Sequence, residues 1–407
     1  MNRALVLGRL SSALLGMLLL MTAGAAGLVS EPVACAETLR AEVAKPLQAA
    51  RALYQERRYK DALASVAQAE AVPGKTPYES DVIAQMGGAA AVAAGDFAVA
   101  ARDYGFLIQS GRQPIADQQQ MMSALAILAY QQGNYGQAVQ WGQRYQSTGA
   151  GDPRMTTLLA QSYYMGNNCD AVEKVLKPVV DKEVRAGHPP LEDDLKLLGS
   201  CYQKQKNNAG YIAVLEQLVG SYPTPAYWSQ LIDSLQADAR FSGRFELDVY
   251  RLKRATDTLK SADDYMQMAQ LAILAGYGAE ALSVINQGFD SGALGKGADA
   301  ERGQRLRSLA SKAAQPLPAA AAGNGPALVD TGFAEALSGR YQQGIDSMEA
   351  GLAKGGFTDV NEARLHLGVA YYLAGQKAKA AKMFGVVAGD GEAATLARLW
   401  KLAVRGA

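Results

Sequence analysis

The chain has 407 residues, with 40 Lys and Arg against 39 Asp and Glu, so its formal net charge is only +1. Hydrophobic residues make up 49% of it and charged residues 19%, which is the composition of a globular protein. The balanced charge argues against sequence-independent nucleic-acid binding, and a single apolar stretch, at the N-terminus, excludes a multispan membrane protein.

The first 36 residues have the order of a secretory signal peptide. Arg3 and Arg9 precede a long apolar run, and small residues follow with two Ala-x-Ala cleavage sites, at 23–25 and 34–36. This order predicts a signal peptide over residues 1–36 and a periplasmic mature protein. Export also implies an oxidising compartment, where disulfides persist.

Two other interpretations of this stretch remain open. An uncleaved helix would anchor the chain in the inner membrane, although Gly24, Gly27 and Pro32 make a poor membrane span. A lipoprotein would use Cys35, but Pro32 stands three residues before it, where a large aliphatic residue is expected.

A recurring pattern carries the rest of the chain, at spacings of about 33 to 40 residues. Each copy combines a large apolar and a small residue, an aromatic one three positions later, a tight turn, and then a small residue with two apolar ones. The copies include, in chain order, Leu53 with Tyr59, Gly88 with Tyr104, Ala126 with Tyr145, Gly166 with Ala171, Gly199 with Leu215, Tyr265 with Ile285, Gly339 with Met348, and Gly368 with Phe384.

This pattern closely resembles the tetratricopeptide repeat. The resemblance implies an all-α superhelix of about eight or nine helix-turn-helix units, closed by a C-terminal capping helix from Glu392. Apolar residues at helical spacing give each helix one stripe to bury, and stacked pairs bury these stripes together. The turns are predicted at Gly95, Gly133, Gly166 and Gly276, with Asp96, Asn134 and Asn167 as N-caps of the second helices.

The composition divides the array into segments. A stretch rich in Ala, Pro and Gly predicts a linker over 311–326, between an N-terminal solenoid over 37–310 and a C-terminal repeat pair with its capping helix over 327–407. In the degenerate helix pair over 228–260 the intervals between the pattern residues lengthen, so the pattern does not define the repeat register there.

No motif indicates catalysis. His188 and His366 lie in different repeats without metal-ligand spacing, and the string from Gly276 to Ala281 fits a dinucleotide loop but follows a helical segment instead of a strand. Acidic residues at 192–194 and 263–264 open predicted helices, where negative charge favours the helix dipole. We therefore predict no enzyme activity, no catalytic or metal-binding residues, no cofactor and no nucleic-acid partner.

Tyrosines mark the predicted binding groove. In the tetratricopeptide family the first helices line a concave face that binds proteins or extended peptides, and the residue after their aromatic position tends to point into it. The resemblance places Tyr54, Tyr130, Tyr163 and Tyr372 there, with Tyr164 adjacent. A tyrosine offers rigid contact area and a hydroxyl group. Alternatively, these rings pack against the first helix of the next repeat.

Cys169 and Cys201 are a candidate disulfide pair. Cys169 opens the second helix of one copy, and Cys201 lies near the end of the first helix of the next copy. Consecutive antiparallel helices bring these ends to similar height, although a bridge requires a narrow Cα spacing that sequence alone does not establish. The alternative is a pair of buried free thiols.

The favoured function is a non-catalytic periplasmic scaffold that binds another envelope protein or an extended peptide. Similar exported repeat proteins accompany envelope systems, including those of the TonB type. One alternative is an adaptor for exopolysaccharide synthesis or export, as similar helical arrays provide. Another is an enzyme acting on cell-wall glycan, which would need two facing carboxylates and a catalytic domain outside the repeats.

Overall fold

The computed structural model describes residues 38–237, 243–314 and 323–406, without the side chain of Ala298. The predicted signal peptide over 1–36 and half of the predicted linker over 311–326, residues 315–322, lie outside the described residues. Twenty α-helices and one 3-10 helix, with no strand, make up the regular structure that is described. In chain order the α-helices are α1 (Ala41–Gln55), α2 (Tyr59–Glu70), α3 (Pro77–Ala94), α4 (Phe97–Ser110), α5 (Ile115–Gln131), α6 (Tyr135–Ser147), α7 (Pro153–Met165), α8 (Cys169–Arg185), α9 (Glu192–Lys204), α10 (Asn208–Ser221), α11 (Pro225–Gln236), α12 (Glu246–Ala255), α13 (Ala262–Leu274), α14 (Gly278–Asp290), α15 (Ala300–Ala313), α16 (Gly325–Leu337), α17 (Tyr341–Lys354), α18 (Val360–Leu373), α19 (Lys377–Gly385) and α20 (Glu392–Gly406).

The helices follow one another in nine pairs, from α1 and α2 to α18 and α19, with α15 and α20 outside the pairs. The predicted all-α fold of eight or nine units with a C-terminal capping helix is confirmed. The degenerate stretch over 228–260 holds α12 and most of α11, so a helix pair occupies that place as well. The acidic residues at 192–194 and 263–264 open α9 and α13, as predicted.

In the eight pairs other than α11 with α12, one residue of the turn has a left-handed backbone. At the position just before the second helix cap, Gly95 and Gly133 have φ of +76° and +79°. Arg57 and Lys206 occupy the same position with φ of +61° and +56°, although a side chain there is strained. The left-handed turn therefore forms at this position even where the residue is not glycine.

One of the three predicted helix caps is wrong. Asp96 caps α4 as predicted and accepts a hydrogen bond from the backbone N–H of Val99. Asn134 is the N-cap residue of α6, also as predicted, although its side chain makes no cap hydrogen bond. In the next turn Asn167, rather than Gly166, takes the left-handed conformation, so Asn168 becomes the residue whose side chain accepts from the N–H of Ala171.

Small residues let the paired helices approach closely. A Cβ atom on Gly88 would lie 2.2 Å from the ring of Tyr104, and one on Gly368 would lie 2.4 Å from the ring of Phe384. Both glycines sit on a first helix, and both rings belong to the second helix of the same pair. The ring on the second helix therefore fills the space that a side chain at the small-residue position of the first helix would need.

Two compact units divide the chain, Met1–Leu176 and Lys177–Ala407, here called the first and second unit. In the first unit the first helices α1, α3, α5 and α7 contact one another in sequence, beside their partners α2, α4 and α6. Its core is built from the facing apolar stripes of these helices, including Leu107, Leu125 and Leu158.

The second unit is less regular. The helices α9 to α14 form pairs, α15 packs on α13 and α14, and α20 packs on α18 and α19. In addition, α20 contacts α10 and α12, although about 150 residues or more separate them in the chain. Consequently α12 is covered on nearly all sides, and even Asp248, Arg251 and Lys253 are buried.

Candidate protein-binding face

The repeat register decides which tyrosines are equivalent. Buried small residues stand at the same position of four first helices, and a tyrosine follows each of them four residues later. The pairs are Ala50 with Tyr54, Ala126 with Tyr130, Ala160 with Tyr164, and Gly368 with Tyr372. Tyr164, and not its neighbour Tyr163, therefore shares the position of the other three.

Tyr54 and Tyr130 are held in the same way. Each is half-buried, and its ring meets the ring that opens the second helix of its own pair. Tyr54 lies edge-on to Tyr59 with centroids 5.3 Å apart, and Tyr130 lies edge-on to Tyr135 at 5.5 Å. Burial, followed by the influence of Tyr59, raises the pKa of Tyr54. These contacts fix the rings within their own repeats and leave part of each ring accessible.

The other two tyrosines of the first unit belong to α7. The hydroxyl of Tyr163 accepts a hydrogen bond of 2.6 Å from the side-chain amide of Gln143 on α6, the second helix of the preceding pair. Tyr164 is half-buried at the position equivalent to Tyr54 and Tyr130. The two rings thus leave α7 in different directions, as adjacent positions on a helix must.

Tyr372 lies in the second unit and is not available in the same way. Its ring meets Trp400 of α20 edge-on with centroids 5.1 Å apart, and its hydroxyl lies 3.5 Å from the carbonyl oxygen of Ala255, at the end of α12. Burial raises the pKa of its hydroxyl. Tyr54, Tyr130 and Tyr164 therefore lie on first helices of the first unit, whereas Tyr372 belongs to the second unit.

Completing the row adds residues that a search for tyrosines misses. On α3 the equivalent position, four residues after Gly88, is Val92. The position three residues before each row member lies on the same side of its helix, because residues three apart are neighbours on a helix surface. We call these eight half-buried residues the first-helix face: Arg51, Tyr54, Ala89, Val92, Ile127, Tyr130, Gln161 and Tyr164. Arg51 is its only charged member.

A polar depression of about 920 Å³ lies elsewhere, beside α12 and α14 in the second unit. Its charged side chains are engaged with close neighbours: Lys260 pairs with Asp257 at 2.8 Å, and Arg254 donates to Gln287 and Ser283. Among the residues that the structure describes, no three His, Cys, Asp or Glu side chains are grouped as metal ligands would be.

A buried charged cluster surrounds α12, and sequence reasoning did not predict it. The guanidinium of Arg251 donates two hydrogen bonds to Glu280, of 2.9 and 2.8 Å, and a third of 2.8 Å to Asp248. The ring of His366 completes the cluster, with its Nε2 atom 3.2 Å from Asp248. Burial raises the pKa of Asp248, but the charges of His366 and Arg251 outweigh burial and lower it to about 2.

The two cysteines in the described chain are bonded as predicted. Cys169, at the start of α8, and Cys201, near the end of α9, form a disulfide. In the residues that the structure describes, no helix combines the length and the apolar character needed to cross a membrane.

Two segments, residues 86–153 and 336–390, match the family model of the tetratricopeptide repeat. The chain carries tetratricopeptide repeats. The two matched segments include the pairs that contain Gly88 with Tyr104 and Gly368 with Phe384, where the structure shows the close helix contact. The predicted resemblance to this family is thus confirmed, and such repeats indicate a scaffold for protein–protein interaction.

Solved structures with similar helical folds are distant. A structure of Naa15/Naa10 bound to HypK-THB shares 14% identity at a TM-score of 0.32, covering 87% of this chain and 58% of that chain. The TPR2AB-domain:pHSP90 complex of yeast Sti1 shares 11% identity at a TM-score of 0.26, covering 71% of this chain and 99% of the other. Yeast Tom70 shares 10% identity at a TM-score of 0.21, covering 89% and 94%. This chain thus spans little more than half of the Naa15/Naa10 chain that it matches, and no curated protein matches it.

Proposed function

We propose that the protein is a non-catalytic scaffold that binds a partner protein through the first-helix face of its first unit. The observation that carries the proposal is the regular row of half-buried side chains on α1, α3, α5 and α7, with aromatic rings at three of its four equivalent positions. Half-buried aromatic rings held by their own repeat provide rigid contact area at low entropic cost, as interface anchors do.

The composition of this face suggests the chemistry of the partner. Seven of its eight members are uncharged, and Arg51, at one end, is the exception. Such a face fits an extended peptide or helix with apolar side chains and few charges, since buried unpaired charges on the partner would be costly. In this proposal the partner binds as a peptide, and Tyr163 and Tyr164 contact it side by side.

We further propose that the protein works in the periplasm, with another envelope protein as its partner. The order of residues 1–36 and the disulfide between Cys169 and Cys201 both support export, because disulfides persist in oxidising compartments. N-terminal sequencing of the mature protein would locate the cleavage site. An intact N-terminus in the membrane fraction would favour an anchored protein instead.

Partner binding is tested in two stages. Cross-linking in the native envelope identifies a partner, and titration with the purified partner then compares variants. The double substitution Tyr130→Ala and Tyr164→Ala should weaken binding by roughly 2 kcal/mol or more if the rings are anchors. Tyr372→Ala is the matched control, since it changes the same repeat position where α20 and α12 lie against the ring.

The position next to the row provides a further control. Tyr163→Ala removes a ring that contacts Gln143 and lies outside the row, so it should affect binding less than Tyr164→Ala. A double variant that binds like the wild type but unfolds at a lower temperature would show that these rings serve packing only.

A further inference from the structure

The C-terminal helices α16 to α20, residues 325–406, form one body with an apolar core of its own. Trp400 of α20 stacks on Phe384 of α19, with centroids 5.8 Å apart and planes 16° from parallel. Phe384 in turn fills the space beside Gly368 of α18, and α16 and α17 approach closely at Gly332. Apolar contacts therefore hold these helices to one another. We call them the C-terminal cover.

Several of the side chains that join this cover to α10 and α12 are charged, and an aromatic contact joins it to the start of α14, where the ring of Tyr277 lies edge-on to that of Phe333 with centroids 5.6 Å apart. Arg398 of α20 donates to both carboxylate oxygens of Glu216 on α10, at 2.9 and 3.0 Å. Arg244, just before α12, pairs with Glu362 of α18. Ion pairs thus mark the seam between the cover and the helices beneath it.

The deepest contact of the seam is His366. Its ring stacks on Phe333 of α16 with centroids 4.2 Å apart and planes 6° from parallel, so both rings come from the cover. Its Nε2 atom meets Asp248, and the guanidinium of Arg251 lies 4.8 Å from the centre of the Phe333 ring. The paired rings therefore fit against a carboxylate and a guanidinium of α12.

Separation along this seam would leave both sides satisfied. Arg251 keeps its three hydrogen bonds to Asp248 and Glu280, which belong to α12 and α14, and Asp248 loses only its contact with His366. Buried ion pairs position an interface more than they stabilise it, because each charge gives up its solvation. Polar interfaces within a chain accordingly permit relative motion of the parts they join.

We propose that the C-terminal cover is an internal, reversible ligand of α12, which leaves and returns as one body while α9 to α15 remain folded. The surface beneath it presents the carboxylates of Asp248 and Glu280 around Arg251, and the carboxylate of Glu216 on α10. Its occupant is the cover itself, which supplies a cation from Arg398 and the ring pair of His366 and Phe333. The proposal is independent of partner binding by the first unit.

The two histidines of the chain allow a direct test in the full-length, oxidised protein. Diethyl pyrocarbonate modifies accessible imidazoles, and mass spectrometry reports each site separately. The side chain of His188 is 70% exposed and serves as the internal reference, whereas that of His366 is only 10% exposed. We expect slow modification of His366 under native conditions, at a rate that rises with denaturant less steeply than global unfolding does, because opening of the seam exposes only part of the surface that unfolding exposes.

Charge reversal across the seam should open it. Glu216→Arg places two guanidinium groups together and should raise the rate at His366 about tenfold, with the rate at His188 unchanged. Adding Arg398→Glu should restore protection, because the pair is then reversed but attractive. Glu301→Arg is the matched control, since it makes the same charge change on the exposed side of α15.

Two results would overturn the proposal. One is an unchanged rate at His366 in Glu216→Arg. The other is a modification rate at His366 whose dependence on denaturant is as steep as that of the helical circular dichroism signal. That result would mean that His366 becomes accessible only through global unfolding. Arg398→Ala, which removes one partner without repulsion, gives a second and milder test should Glu216→Arg fail to fold.

Discussion

The two units contain the same helix-turn-helix repeat but differ in how their helices pack. The first unit stacks regular pairs whose contacts are mostly between neighbours in the chain, and its buried carboxylates pair with arginines that stay partly exposed, as Asp103 does with Arg102. The second unit adds contacts between helices far apart in the chain, and these enclose the charged helix α12. The difference shows that a repeat array remains modular only until one part of it folds back on another.

The largest effect should come from breaking the buried cluster of the second unit. Arg251→Ala leaves Asp248 and Glu280 buried without their common partner, which should lower the free energy of unfolding by about 3 to 5 kcal/mol. Arg58→Ala in the first unit is the control, because that side chain is 58% exposed and its partners Glu56 and Asp61 are 59% and 55% exposed, so these pairs should contribute about 1 kcal/mol or less. Urea titration of both variants makes the comparison, and equal losses would contradict it.

Close helix contact should matter equally in both units. Gly88→Ala and Gly368→Ala each place a methyl group within 2.4 Å of a ring on the partner helix. Overpacking of this kind costs about 1 to 3 kcal/mol. Thermal unfolding of the two variants should show similar losses, and a loss in only one of them would mean that the other pair can shift to make room. Gly136→Ala, where the new methyl group meets open space, is the control.

Acid should weaken the second unit through Asp248. Its pKa falls to about 2 in the folded chain, below the ordinary value of 3.8, so its contribution is complete above about pH 4 and disappears as the pH falls through about 2. Asp248→Asn should flatten the pH dependence of unfolding in this window. Parallel pH profiles of urea unfolding for the wild type and Asp248→Asn would contradict this. Glu79 of the first unit has a similarly lowered pKa of about 2, mainly from its hydrogen bond with Arg40, so Glu79→Gln provides a comparison in the other unit.

The smallest effect should come from the strained turns. Arg57→Gly in the first unit and Lys206→Gly in the second place glycine where the backbone is left-handed, with φ of +61° and +56°. Relief of that strain should stabilise each variant by about 0.5 to 1 kcal/mol after the greater freedom of glycine in the unfolded chain is counted. Differential scanning calorimetry should show higher melting temperatures for both. A decrease would mean that the side chains make contacts that offset the strain.

The sequence also determined part of the candidate site. Tyr54, Tyr130 and Tyr372 were placed at equivalent positions from the repeat pattern, but Tyr163 was placed there in error of register, because α7 has two adjacent tyrosines and the pattern does not separate them. Burial of Ala160 fixes Tyr164 as the equivalent residue. Val92 was missed because the search followed one residue type instead of the position.

By itself, the sequence determined the helix pairs and the repeat family, and it indicated Cys169 and Cys201 as a candidate disulfide pair. These follow from local spacing, since apolar periodicity, a small residue and a tight turn recur within each pair. Only the tertiary structure decided that Tyr372 lies against α20 and α12, and that the charged residues of α12 are buried. The physical reason is that Glu246 to Ala255 has the charge pattern of a solvent-exposed helix, and its partners Phe333 and His366 come from helices about 80 to 120 residues further along the chain. Periodicity carries no information on contacts at that separation.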